Sequence, residues 1–165
     1  MATLKTLVES GAVYEAARML GHAFFLKGTV VEGNRIGRNL GFPTANLRLD
    51  PGQIIPGQGV YVAMAHVFGR WYDCMTNIGI KPTLDLENVT IEAHLLDFNQ
   101  DIYGEAISLH FLARIRNEMR FVSLGSLKYQ LENDKIKTLK VLKELNLHTE
   151  PEETLVWLNK KDSKY

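Results

Sequence analysis

The stretch ISLHFLARIR, residues 107–116, alternates apolar and polar side chains in the way that defines a β-strand with one face on a core. Successive side chains of a strand point to opposite faces of the sheet. One face carries Ile107, Leu109, Phe111, Ala113 and Ile115, and the other carries mostly Ser108, His110, Arg114 and Arg116. The first face is expected to pack and the second to meet water.

Working outward, short apolar runs separated by turn residues fill the chain from Phe24 onward. They are FFLKGTVVEG, GVYVAMAHVFG, WYDCMTNIG and VTIEAHLLDF, and Gly69-Arg70 lies between two of them as a hairpin turn would. The pattern predicts five or more closely spaced strands. Such strands suit a closed antiparallel barrel or a sandwich better than a parallel sheet.

Helical spacing flanks the strands at both ends of the chain. The opening LKTLVESGAVYEAARMLG predicts two short helices that break at Ser10-Gly11 and end at Gly21. SLGSLKYQLENDKIKTLKVLKEL carries a broad apolar stripe and predicts a helix that packs on the barrel. A further short helix is expected from Pro151 to Leu158, ahead of a charged end.

The composition narrows the classes of function. The chain has 165 residues with 19 basic and 19 acidic side chains, so its formal net charge of zero offers no global field for nucleic acid or anionic membrane. Cys74 is the only cysteine, which excludes an internal disulfide and favours a reducing compartment. No apolar run approaches the ~18 to 20 residues that span a bilayer, and no secretory signal is evident. We expect a cytoplasmic protein.

The segment GNRIGRNLG, residues 33–41, combines three glycines at a spacing of four with two arginines. Gly33, Gly37 and Gly41 let a backbone pass close to a ligand, and Arg35 and Arg38 add positive charge beside amides that can form an anion-binding nest. The Walker pattern is missing, and glycine-rich turns between strands are common. A phosphate loop and an elaborate turn both explain the segment.

The next residues, FPTAN, place Thr44 and Asn46 two positions apart, so that both side chains project to one side of an extended chain. A hydroxyl and an amide oxygen on one side can share a hard cation such as Mg²⁺. A turn in which both side chains satisfy only local amides explains the same residues equally well.

Glu92 lies in the middle of VTIEAHLLDF, a segment that otherwise reads as a strand. A carboxylate there is costly to bury unless it has a partner or a task. Most strand glutamates face water, so a catalytic and a solvated Glu92 both remain open. We expect His94 beside it to be a plain surface histidine.

The segment RIRNEMRF groups Arg114, Arg116 and Arg120 at the end of a predicted strand. Arginine binds phosphate in a bidentate manner and stacks on planar rings, so this cluster is a candidate ligand contact. For at least one of the three, a solvated loop is the simpler interpretation.

Taken in order, these segments resemble the riboflavin kinase domain, either free-standing or as the C-terminal half of the bacterial bifunctional riboflavin kinase/FAD synthetase. The resemblance runs roughly from Phe24 to Leu145 and rests on GTVVEGNRIGRNLGFPTANL, GVYVA, TNIGIKPT, IEAHLLDFNQDIYG and IRNEMRFVSLGSLKYQLENDK. It implies a mainly β fold, a six-stranded antiparallel Greek-key barrel with short N-terminal helices and a C-terminal helix.

The resemblance also implies an activity, transfer of the γ-phosphoryl group of ATP to the 5′-hydroxyl of riboflavin to give FMN and ADP. The loop from Gly33 to Gly41 would cover the ATP phosphates, and Thr44 and Asn46 would hold Mg²⁺ or another divalent ion. Glu92 matches the family's catalytic carboxylate.

A second loop matches the one that closes over the flavin in the family, and it supplies Arg116, Glu118 and Phe121. The implied partners are the small molecules riboflavin and ATP, and the protein is expected to be a monomer. A flavin- or nucleotide-binding regulatory module without turnover is the alternative on the same fold.

The resemblance divides the chain into three parts. Residues 1–22 look like the helical linker that joins the two halves of the bifunctional enzyme, residues 23–147 form the kinase barrel with its helix, and residues 148–165 are an extension. The adenylyltransferase half is absent, so FAD synthesis is expected to be absent. A kinase domain cut from a bifunctional enzyme is therefore a further possibility.

Three positions depart from the family pattern. Lys81 stands where the family commonly has arginine, and Val122 and Gly125 replace acidic residues near the start of the C-terminal helix. That helix must then begin on Ser123 or start more loosely.

Overall fold

The computed structural model describes residues 2–32, 40–82 and 87–145, with 81, 82 and 87 described for the backbone alone. Its elements are α1 (Leu4–Glu9), α2 (Val13–Leu20), β1 (Phe24–Val31), β2 (Ala45–Leu49), β3 (Gly59–Val67), β4 (Arg70–Pro82), β5 (Glu87–Leu95), β6 (Ala106–Arg116) and α3 (Leu124–Glu144). The predicted helices at both ends of the barrel are confirmed. The helix predicted from Pro151 lies outside the described residues.

The six strands close into a barrel in the order β1-β2-β5-β4-β3-β6. Every neighbouring pair is antiparallel. Strands β3, β4 and β5 are neighbours in chain order, and β2 lies beside β5, which is the Greek-key arrangement. The predicted six-stranded Greek-key barrel is confirmed.

Apolar side chains from alternate strand positions fill the barrel interior. Leu26, Tyr61, Ile78, Leu109 and Phe111 are almost fully buried there, and the rings of Tyr61 and Phe111 meet edge to face at 5.3 Å. Burying one large apolar side chain contributes about 1.5–3 kcal/mol, so this layer is a major source of stability.

The predicted alternation of β6 holds only as far as Phe111. The pairing with β3 shifts register twice, between Val62 and Ala63 and again between Val60 and Tyr61. Each shift adds an unpaired residue to β6, as in a β-bulge, and reverses the faces of the residues that follow. Ala113 and Ile115 therefore join the core outside the barrel, and the expectation of one wet face for this strand is wrong.

The second core lies between the barrel wall and the helices. Tyr14 and Ala17 of α2, Val62 of β3, Leu112 of β6 and Leu142 of α3 belong to it. Of the two N-terminal helices, α2 thus packs directly on the barrel, and α1 packs on α2. The division into a leader, a barrel and an extension stays a prediction, and residues 146–165 are outside the described ranges.

Ser123 caps α3, as the sequence required. Its hydroxyl accepts from the Ser126 backbone N–H at 3.1 Å, and the Ser126 hydroxyl accepts from the Ser123 N–H at 3.3 Å, which completes a capping box. The departures at Val122 and Gly125 therefore leave the helix start well formed.

Replacing this cap should weaken the fold measurably. We expect Ser123→Ala to lower the free energy of unfolding by about 0.5–2 kcal/mol, because the Ser126 N–H in the first turn loses its acceptor and the capping box is broken. Urea unfolding measures the effect. Val122→Ala is the control, because the Val122 side chain is fully exposed. Equal unfolding midpoints for the two variants would show that the cap is dispensable.

Candidate active site

Glu92 lies at the centre of β5 with a cross-strand neighbour on each side. The pairing places Asn46 of β2 on one side and Asn77 of β4 on the other. Since Ile91 and Ala93 point into the barrel, Glu92 is on the outer face. Burial, and then the negative charge of Glu118, raise the pKa of the Glu92 carboxyl. A carboxylate with raised proton affinity is suited to accept a proton.

Glu92 lines a cavity of about 160 Å³ between the barrel wall and α3. Leu127, Leu131 and Asp134 of α3 cover it, and Asn77 and Glu92 form part of its floor. Ligand pockets usually measure ~300–1,000 Å³, so this smaller cavity suits one part of a ligand.

A larger cavity of about 550 Å³ opens between the end of β1, the start of β2 and the β5–β6 connection. Val31, Asn46, Phe98 and Tyr103 are among its lining residues. Its volume is that of a typical small-molecule site. Thr44 lines both cavities, so the two lie next to each other at this residue.

Most of the predicted phosphate loop lies outside the described residues, including Gly33, Arg35, Gly37 and Arg38. Glu32, the last described residue before this segment, lines the larger cavity. Gly41 is described and has φ +83°, a left-handed conformation that favours glycine.

Thr44 and Asn46, the predicted metal ligands, are both half-buried beside the larger cavity. Within the described part of the chain neither side chain makes a hydrogen bond, so the local turn that also explained these residues is not seen there. The same part of the chain holds no cluster of three or more His, Cys, Asp and Glu side chains suited to a metal. The hydroxyl oxygen of Thr44 and the amide oxygen of Asn46 are both uncharged, which suits a cation whose other ligands are phosphate oxygens and water.

Arg116, from the predicted flavin loop, is bound to α3. Its Nε and Nη2 donate to the two carboxylate oxygens of Asp134, both at 2.8 Å, and the two side chains are only 14% and 3% exposed. Gln130 also donates to Asp134 at 2.9 Å, and the guanidinium lies 6.0 Å from the centre of the Phe121 ring. The pair joins the end of β6 to the helix that covers the smaller cavity.

Glu118, a second residue of the predicted flavin loop, reaches back to the barrel. Its carboxylate lies against Gly79 of β4, where a Cβ would come within 3.3 Å of Glu118 Cδ. Burial raises the pKa of Glu118, while a hydrogen bond from the Asn77 side chain and the charge of Arg116 act in the opposite direction. Gly79 therefore leaves the space that this carboxylate occupies.

His94 contradicts the expectation of a surface histidine. Only 8% of the residue is exposed, because α3 covers this part of β5. Its Nδ1 lies 2.6 Å from the Pro43 carbonyl oxygen, and its ring contacts Phe42 at 5.3 Å. Burial lowers the pKa of His94. The imidazole thus holds the backbone immediately before Thr44.

Of the three arginines considered together, Arg114 is also structural. It donates to the Gln58 carbonyl at 2.6 Å and to Asn117 Oδ1 at 2.7 Å, and it packs against Gly11 and Tyr61. Arg120 is exposed, as a solvated loop residue would be. The phosphate-binding interpretation of the cluster gains no support from these contacts.

None of the helices in the described ranges has the length and apolar character needed to cross a bilayer. The architecture is that of a small closed β-barrel with two cavities that share Thr44 as a lining residue.

Comparison with known proteins gives the family. A family model described as "Flavokinase: Riboflavin kinase" matches residues 20–142. The bifunctional riboflavin kinase/FMN adenylyltransferase of Bacillus subtilis (strain 168) is 40% identical over 145 residues, which cover 86% of this chain and 46% of the relative. The protein of the same name from Escherichia coli (strain K12) is 41% identical over 122 residues, 73% of this chain and 39% of the relative. The chain belongs to the riboflavin kinase family, and it spans less than half the length of these curated relatives.

Two solved structures agree with the fold. Riboflavin kinase from Trypanosoma brucei matches with a TM-score of 0.53 at 26% identity, covering 87% of this chain and 90% of that one. A Streptococcus pneumoniae chain described as a macrolide-efflux protein matches with a TM-score of 0.79 at 38% identity. That match covers 82% of this chain but 44% of the other, so the efflux description carries no weight here.

Proposed function

We propose that the chain transfers the γ-phosphoryl group of ATP to the 5′-hydroxyl of riboflavin, giving FMN and ADP. The observation that carries the proposal is the position of Thr44, which lines both cavities. A phosphate in the larger cavity and a hydroxyl in the smaller one would meet there, beside Glu92. Family membership supports the same reaction.

Glu92 is the proposed general base. An alcohol is a poor nucleophile at neutral pH, and the Glu92 carboxylate accepts its proton as the new O–P bond forms and the bond to ADP breaks. The rest of the catalysis is positioning and neutralisation of charge.

ATP is proposed to occupy the larger cavity, with its phosphates toward Thr44. The segment from Gly33 to Gly41 would cover them, using its backbone amides together with Arg35 and Arg38. Support comes from Glu32, which directly precedes this segment and lines the larger cavity.

The divalent ion, proposed as Mg²⁺, would be held by Thr44 Oγ1 and Asn46 Oδ1 together with the nucleotide. When bound, it supplies neutralisation of phosphate charge. His94 and Pro43 keep the backbone of Thr44 in place for this contact.

Removal of one ligand oxygen should be visible in the metal dependence. For Thr44→Ala we expect the Mg²⁺ concentration at half-maximal rate to rise about tenfold or more. Titration of the rate with Mg²⁺ at saturating ATP and riboflavin measures it, and Thr29→Ala on β1 is the matched control. An unchanged Mg²⁺ dependence would count against Thr44 as a ligand.

The ribityl chain of riboflavin is proposed to occupy the smaller cavity. A loop that carries Arg116, Glu118 and Phe121 would cover the flavin. Phe121 is half-buried and offers an aromatic face for stacking. The Arg116–Asp134 pair would hold this loop against α3.

We propose that the protein acts as a monomer, as the family resemblance implies. The single buried free cysteine fits a reducing, cytoplasmic setting.

The test is incubation with riboflavin and Mg-ATP followed by separation of the flavins. FMN is the expected product. Riboflavin bound at the site without any ATP consumption would instead favour the regulatory flavin-binding module.

A further inference from the structure

We infer that Asn77 contacts the substrate directly, its Oδ1 accepting a hydrogen bond from the hydroxyl next to the reacting one. Glu118 is then a positioning residue that keeps this oxygen available. The inference rests on the proposed function, because it names the part of the substrate that the smaller cavity holds.

Asn77 lies directly across from Glu92 in the pairing of β4 with β5, and both residues line the smaller cavity. Its Oδ1 is buried and has no hydrogen-bond partner in the described part of the chain. Buried side-chain oxygens without a partner are uncommon in folded proteins, and each calls for an explanation. Because Asn77 lines a cavity, we explain its unpartnered oxygen by a hydroxyl group of a bound ligand.

Glu118 explains why the oxygen, and not the amide nitrogen, is left over. The hydrogen bond between Asn77 and Glu118 acts to lower the pKa of the Glu118 carboxyl, which is the effect of an N–H donor, so Asn77 uses its Nδ2 group in this bond. The amide cannot rotate without losing this bond. Gly79 supports the arrangement, since any side chain there would displace the Glu118 carboxylate.

The nearest cation does not supply the missing donor. Arg116 lines the same cavity, but its Nε and Nη2 donate to Asp134 and its Nη1 donates to the Asn117 carbonyl at 3.0 Å. The cavity therefore presents two neighbouring acceptors, the Glu92 carboxylate and Asn77 Oδ1.

Two neighbouring acceptors match a polyol better than a single alcohol. One hydroxyl donates one hydrogen, so a terminal hydroxyl on Glu92 leaves Asn77 unpaired, whereas adjacent hydroxyls satisfy both. The ribityl chain of riboflavin carries such a pair at its 5′ and 4′ positions. The cavity volume of about 160 Å³ suits this chain rather than the flavin rings.

The test compares riboflavin with 4′-deoxyriboflavin as substrates of matched variants. Asn77→Ala should lower kcat/KM for riboflavin about tenfold, and it should change kcat/KM for the 4′-deoxy compound little, since the partner hydroxyl is already gone. Asn88→Ala, an exposed position on the same strand pair, should leave both values unchanged. Thermal unfolding of each variant reports whether the fold is intact.

Glu118→Gln and Gly79→Ala probe the same oxygen without altering it. Both free the Asn77 amide to rotate, so both should lower kcat/KM for riboflavin more than for the 4′-deoxy compound. If instead Asn77→Ala matches Asn88→Ala, or lowers kcat/KM equally for both substrates, the contact does not exist. If Asn77→Ala does not fold, Glu118→Gln and Gly79→Ala provide the test. A decrease in kcat/KM that is equal for riboflavin and 4′-deoxyriboflavin in these two variants would also show that the contact does not exist.

These experiments distinguish a failure of the proposed function from a failure of the inference about Asn77. A wild-type protein that forms no FMN overturns the proposed function. If the wild-type protein forms FMN but its preference for riboflavin over 4′-deoxyriboflavin is no greater than that of Asn77→Ala, this inference alone is overturned. Flavin fluorescence on binding gives a readout independent of turnover.

Discussion

Glu92→Gln should lower kcat for FMN formation about 10²–10⁴-fold while leaving the affinity for ATP close to that of the wild type. The substitution keeps the size of the side chain and removes its ability to accept a proton. Glu92 lines the smaller cavity and is not among the lining residues of the larger one, so nucleotide binding should depend little on it. Steady-state rates beside ATP titration calorimetry measure both quantities.

The pH profile provides the control for this result. Because burial and Glu118 raise the pKa of Glu92, the wild-type rate should fall on the acid side at a higher pH than an exposed glutamate would give. This acid limb should be absent from the residual rate of Glu92→Gln and present in Glu105→Gln, which alters an exposed carboxylate. Near-normal turnover of Glu92→Gln would show that Glu92 is not the general base.

Asp134→Ala should lower the free energy of unfolding by about 3–5 kcal/mol, the largest stability effect that we expect. The substitution leaves the Arg116 guanidinium buried without its counter-ion, and Gln130 also loses its acceptor. Urea unfolding measures the change, with Asp50→Ala at an exposed position as control.

The double variant Arg116→Met with Asp134→Leu separates two causes of this loss. Apolar replacements of both partners should recover much of the stability, because the cost comes from the unpaired charge rather than from the lost attraction. A loss below about 1 kcal/mol in Asp134→Ala would mean that the pair behaves like an exposed salt bridge.

The barrel was predictable because its strands alternate and its turns are short. The same reasoning failed in β6 after Phe111, since a bulge adds residues without any change in composition. It failed at His94 because alternation reports which face a residue occupies, and this outer face is covered by a helix from far along the chain. Register and helix docking decide such cases, and neither is local in sequence.

The site was predictable in part. Residue type and spacing marked Glu92, Thr44 and Asn46 as candidates but left a structural role equally open, and the family resemblance supplied their proposed roles. Pairing in the barrel brings Asn46 next to Glu92. Asn77 and Asp134 were missed, since an asparagine in a strand and an aspartate in a charged helix have no distinctive pattern. Their importance comes from contacts with Glu118 and Arg116, which only the folded chain brings close.

The most direct test of the central claim follows the phosphoryl group itself. With ATP labelled at the γ-phosphate, riboflavin and Mg²⁺, the label should appear in FMN in an amount equal to the ADP formed, and this transfer should be lost in Glu92→Gln. Label that appears only as inorganic phosphate, or ADP formation that does not depend on riboflavin, would contradict the proposed phosphoryl transfer.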